Sequence, residues 1–112
     1  MSPANRLAQL SAPRRALVRL FQSINFGQVM GVVIENGEPI FQPPPTVLYD
    51  LKLDSEESTR PEAALDDFAL RAEVRKLMKY LDTLQDGKLA RIEVRSGIPR
   101  RVLIERSLTT IL

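Results

Sequence analysis

The sequence predicts a two-layer α+β domain, two helices on one antiparallel sheet, in the order α-β-β-β-α-β-β. Three observations carry this. Leu17, Leu20, Phe21 and Ile24 recur at helical spacing, as do Leu70, Val74, Leu77, Leu81 and Leu84, spaced four, three, four, three. Short segments rich in Val and Ile alternate with the period of a strand. Asn36-Gly37 and Ser96-Gly97 stand between pairs of such segments, where a tight hairpin needs residues that accept positive φ.

Residues 1–12 read as a mobile arm, in which Ser2 and Pro3 offer the start of a short helix with Leu7 and Leu10. Ser11 with Pro13 gives a cap residue and a proline in the first turn, so the first helix starts there and stops at Gly27. "QVMGVVIE", residues 28–35, reads as a strand that is apolar on both faces, with Met30, Val32 and Ile34 on one and Val29 and Val33 on the other. A half-exposed strand would alternate with polar residues, so the second face is expected to meet another surface. "EPIF" returns as a second strand, which is an edge strand or begins just after Pro39, because Pro39 has no N–H to give. "QPPP", residues 42–45, is a stiff extended spacer. "TVLYDLKLD" alternates, Val47, Tyr49, Leu51 and Leu53 against Leu48, Asp50 and Lys52, and reads as a third strand.

Residues 54–61 read as an acidic loop. Thr59-Arg60-Pro61-Glu62 matches a capping box, and Asp66 offers a second start for a helix that Asp86-Gly87 ends; Phe68 and Met78 widen its stripe. "KLARIEVR" alternates, Ala90, Ile92 and Val94 against Arg91, Glu93 and Arg95; "RRVLIER" returns; "SLTTIL" is apolar enough to pair or pack. The chain is thus one domain over 1–112, with a first helix-hairpin unit plus strand at 13–53 and a second unit at 62–106. Its expected core is Leu17, Leu20, Phe21, Val32, Ile34, Leu70, Val74, Leu77, Leu81, Ile92 and Val94.

The two units match when the chain is slid by sixty residues. Arg15 meets Arg75, Leu17 meets Leu77, Gly27 meets Gly87, Gly37 meets Gly97 and Pro39 meets Pro99; Ile24 with Leu84, Val32 with Ile92 and Ile34 with Val94 are conservative matches. This is the pattern of an internal duplication with a pseudo-two-fold relation. "LFQSINFGQVMGVVIENGEPI", behind a basic helix, resembles the YezD-like family of very small bacterial proteins. The resemblance covers residues 15–41 and, more weakly, 75–104, where Asp86 replaces the aromatic of Phe26-Gly27 and Ser96 replaces the turn Asn. It implies a helix-plus-hairpin fold and a bacterial origin, and no activity.

Composition narrows the chemistry. The chain has no Cys and no His, which removes disulfides, thiol nucleophiles, the commonest general base and the commonest zinc ligand. Asp54, Glu56 and Glu57 lack the order of a calcium loop, and no glycine-rich phosphate loop is written. Asp50 with Glu62 or Asp66 is a candidate carboxylate pairing for acid–base work, with nothing in the sequence to raise either pKa. No apolar run spans a membrane, and the N-terminus lacks the apolar centre of a leader. The expectation is a cytoplasmic protein with no catalysis, no metal, no cofactor and no membrane contact.

Two classes of function remain. In the first the chain associates with a second copy or another protein through a face carrying Val29, Val33 and Leu48. In the second the hairpin cations Arg91, Arg95, Arg100 and Arg101 contact nucleic acid, as two-stranded ribbons can. Net charge is only +2, and the hairpin has no aromatic for stacking, so association is the leading expectation.

Overall fold

The computed structural model of the chain describes residues 4–54 and 67–106. Helix α1 spans Ala12–Ile24, followed by strands β1 Gly27–Met30, β2 Val32–Glu35, β3 Glu38–Ile40 and β4 Thr46–Tyr49; α2 spans Ala72–Leu84, followed by β5 Gly87–Arg95 and β6 Ile98–Glu105. The described residues form a compact α+β domain with two α-helices and an open antiparallel sheet.

The start of α1 follows the sequence: Ser11 Oγ accepts the Arg14 N–H at 3.3 Å, with Pro13 in the first turn. The second helix departs from it. The capping box at Thr59–Glu62 lies outside the described residues, and α2 opens only at Ala72, without a side-chain cap on Arg71. Phe68 and Leu70 precede the helix in a segment that runs beside the N-terminal residues. Leu7 N–H donates to the Phe68 carbonyl at 3.0 Å, and Leu70 N–H to the Asn5 carbonyl at 2.8 Å. Arg6 and Ala69 form an antiparallel bridge there. Leu7 and Leu10 are three apart around a 3-10 turn at Leu7–Gln9, so they share a side, and both are buried. The segment read as an arm therefore contributes to the core.

In the sheet, β5 is the long central strand. β1 and β2 lie end to end along one side of it and β6 along the other; β4 pairs outside β1, and β3 outside β2. The third strand expected over 46–53 ends at Tyr49. The first strand is one run interrupted at Gly31, whose φ is +85 and whose N–H donates to the Leu89 carbonyl at 3.1 Å. This break reverses the alternation. Val29 lies on the same side as Val32 and Ile34, and all three are buried. Beside it, β5 has an irregularity between Leu89 and Arg91, and Leu89 and Ile92 are likewise both buried.

The helices cover that side. Of the residues expected in the core, all are buried except Leu20, which packs half-buried against it. Phe21, Leu17, Leu81, Leu89, Ile92, Val29 and Val32 are wholly enclosed.

The element bounds recur at an offset of sixty residues: α1 against α2, and Gly27–Glu35 against Gly87–Arg95. The register recurs as well. The pairs Val29–Ile92 and Val32–Leu89 exchange when sixty is added to one member and taken from the other, as do Gly27–Val94 and Ile34–Gly87. Each helix ends on a residue of positive φ, Asn25 (φ 61, ψ −63) and Gln85 (φ 60, ψ −66), rather than on the glycines at 27 and 87. Gly97 N–H donates to the Asn25 carbonyl at 2.8 Å, and Gly37 N–H to the Gln85 carbonyl at 2.7 Å. Each hairpin turn is thus held by the helix end of the other half. The glycine at 27 has a different cause: a Cβ there would collide with the Leu48 carbonyl oxygen.

The halves differ in one strand. In the first, the return strand is split into β3 and β4 by residues 41–45, which hold Pro43, Pro44 and Pro45. In the second, β6 runs unbroken over eight residues.

Candidate association surface

Because both helices lie on one side, the residues pointing the other way form an open sheet face. The register places Leu48, Gln28, Glu93 and Arg101 in one row across it. Ile40, Val33, Lys88 and Glu105 form another. Between them lie Thr46 beside Met30, and Arg91 beside Leu103. The β3, β4 and β1/β2 part of the face is largely apolar; the β5/β6 part is charged. Val33, Met30 and Ile40 are half-buried, while Leu48 is 49% and Leu103 43% exposed.

The expected association face changes in composition. Val33 and Leu48 are on it; Val29 is not, being 0% exposed beneath the helices. The physical reason is the break at Gly31, which a strict period of two across 28–35 does not allow for. A glycine inside a strand pattern was the signal available.

The four hairpin arginines do not form one stripe. Arg91 and Arg101 line a shallow depression with Glu93 and Leu103 on the open face. Arg95 sits at the strand end, beside Gln28, Leu48, Tyr49 and Asp50. Arg100 faces the other layer: its Nη1 donates to Glu73 Oε2 of α2 at 2.6 Å. The cause is a second irregularity in the β5–β6 pairing, where Glu93 pairs with Arg101 but Val94 with Pro99, leaving Arg100 as the extra residue. With Glu93 between Arg91 and Arg101, and Arg100 already paired, the hairpin offers no continuous cationic track.

Three features lay outside the sequence reading. The first is the exposure of the apolar side chains that follow Leu48: Tyr49 at 65%, Leu51 at 63% and Leu53 at 90%. The alternation that suggested a strand there had no layer to bury it. The second is Leu103, exposed on the β6 edge. The third is Arg14, which sits where the second half has Val74 and clamps the two halves. Its guanidinium donates to Asp82 Oδ1 at 2.6 Å and to the carbonyls of Gly37 at 2.9 Å and Met78 at 3.3 Å. Glu38 Oε2 accepts from Ser11 Oγ at 2.6 Å on the same side. Arg14 lines a groove between the N-terminal segment and α2, with Arg75, Lys76 and Lys79 along its rim.

Among the described residues no three acidic side chains converge into a group that could hold a metal ion. No helix of the described residues is long and apolar enough to cross a membrane. Asp67 is held below the usual carboxylate range, first by the hydrogen bond from Arg6 and then by the Ala8 N–H, at 2.8 Å each. It ties the N-terminal segment to the start of the second half.

No family model matches the chain, and no curated protein or solved structure is detectably similar to it.

Proposed function

We propose that the chain is a protein-association module, built from two copies of one α-β-β unit related by a local two-fold, with no catalytic role of its own. The observation that carries it is the one-sided covering of the sheet. Two helices shield one face, while the other leaves Leu48 and Leu103 in water beside half-buried Val33 and Met30. Large exposed side chains of this kind, gathered on one face, are typical of contact surfaces. The register and the reciprocal hairpin bonds support the two-copy reading, because a two-fold between Met30/Gly31 and Ala90/Arg91 maps each onto its counterpart.

A duplicated unit of this form also fits the resemblance of residues 15–41 to the YezD-like proteins, and with it a bacterial, cytoplasmic setting. The partner is a second copy of the chain or another protein. The broken arginine track weighs against nucleic acid.

Amide chemical shifts followed on dilution test the reading. Concentration-dependent shifts confined to the sheet, at Met30, Val33, Leu48 or Leu103 and their neighbours, are expected. Spectra unchanged from high to low micromolar concentration would remove self-association, and a pull-down without a stoichiometric protein would then remove the module reading.

A further inference from the structure

The geometry points to a specific dimer: β6 of one copy runs antiparallel to β6 of a second copy, centred on Leu103. This rests on the association reading above and gives it a partner and a register.

The two edges of the sheet are treated differently. On one, β3 contains Pro39 and is cut off from β4 by Pro43, Pro44 and Pro45. Prolines and short strands are how sheets blunt an edge against pairing. On the other, β6 has no proline after Pro99, and among the described residues it pairs with β5 alone. Its outward row of N–H and C=O groups is suited to strand addition.

The side chains then select the register. A two-fold through the sheet keeps like faces together, so it must set one β6 residue opposite itself. Centred on Val102, Arg101 would meet Leu103, and Glu105 would meet Pro99 of the second copy. Centred on Ile104, Leu103 would meet Glu105, and Val102 would meet Arg106. Centred on Leu103, Leu103 meets its own copy, Val102 meets Ile104, and Arg101 meets Glu105 in both directions. Only this register matches apolar with apolar and opposite charges with each other.

The neighbouring strand extends the pattern. Within one chain Arg101 stands beside Glu93, and Glu105 beside Lys88. Across the proposed contact the row reads Lys88, Glu105, then Arg101 and Glu93 of the second copy, with signs alternating throughout. Leu103, 43% exposed in the single chain, is covered at the axis.

The chain has no cysteine, so one introduced thiol reports one position. Residues directly opposite in an antiparallel pair have Cβ atoms about 4.5–5.5 Å apart, close to disulfide reach. In the full-length chain, Leu103→Cys under mild oxidation is expected to give mostly covalent dimer. Leu48→Cys, on the opposite edge, is expected to stay uncross-linked and serves as the collision control. Arg101→Glu, which faces Glu105 of the second copy, is expected to weaken the dimer at least tenfold while keeping the fold by circular dichroism. Cross-linking through Leu48→Cys instead, or a wild-type dimer in which neither cysteine links, overturns this register and leaves association standing. A wild-type chain of monomer mass overturns the dimer and its register, and the association reading falls with it when no stoichiometric protein partner is recovered either.

Discussion

Each helix ends in a conformation that L-amino acids avoid, and replacing Gln85 by glycine should therefore stabilise the protein. Gln85 has φ 60 and ψ −66, and across it Asp86 N–H donates to the Leu84 carbonyl at 2.7 Å. This is the rarer, strained form of the three-residue γ-turn. Holding a non-glycine residue in such a region costs about 1–3 kcal/mol. Glycine adopts positive φ as readily as negative. Against the gain stand the extra freedom of the unfolded chain, roughly 0.5–1 kcal/mol, and the exposed bond from Gln85 Nε2 to the Asp82 carbonyl at 2.6 Å. The net expectation for Gln85→Gly is about 1 kcal/mol of added stability, or roughly 4 °C in Tm for a domain of this size. Asn25→Gly should act in the same direction, since Phe26 N–H donates to Ile24 across it at the same 2.7 Å. Gln85→Val, branched at Cβ, should lose at least about 1 kcal/mol. Urea titration with an unchanged slope measures all three. A loss of about 1 kcal/mol for Gln85→Gly, the ordinary cost of glycine at an unstrained position, would refute the strain argument.

Three further outcomes follow. Val29→Glu buries an unpaired carboxylate beneath the helices and should prevent folding, whereas Val33→Glu, on the open face beside Lys88, should leave the circular dichroism spectrum intact; equal tolerance would place the break at Gly31 wrongly. Leu81→Ala, at a fully enclosed site, should cost about 2–5 kcal/mol by denaturant titration, and a change within error would remove α2 from the core. The lowered pKa of Asp67 means that its contribution is present above the unfolded carboxylate pKa and lost as pH falls through the folded one; an NMR titration of the Asp67 carboxyl should show the lowered value in the wild type and its return towards the ordinary range in Arg6→Ala.

The helical stripes and the glycine hairpins were legible in the sequence because each rests on local spacing. Leu17 to Ile24 and Val74 to Leu84 bury the face their period indicates. Reading stopped where an inserted residue changed the count. Gly31 turns Val29 inward, so strict alternation put it on the wrong side, and the extra residue Arg100 turns away from the other hairpin arginines to Glu73. Burial alone also misled: Phe68 and Leu70 extended the apolar stripe of α2, yet they pack from an extended segment bonded to Asn5 and Leu7. Leu7 and Leu10 suggested a short helix, but two apolar residues were too few to set against reading the segment as an arm. The open face was legible in part: a strand apolar on both sides placed Val33 and Leu48 on it, whereas Met30 and Leu103 were not foreseen there. It exists because both helices choose the same side, which is a property of the topology rather than of any segment.

Sedimentation equilibrium of the wild-type 112-residue chain across a concentration series decides whether it associates with itself. The molar mass is expected to rise to twice the 12.6 kDa of one chain as concentration increases, with a single monomer–dimer constant describing every curve. A mass fixed at that of one chain up to high micromolar concentration, with no protein partner recovered alongside it, would contradict the association reading.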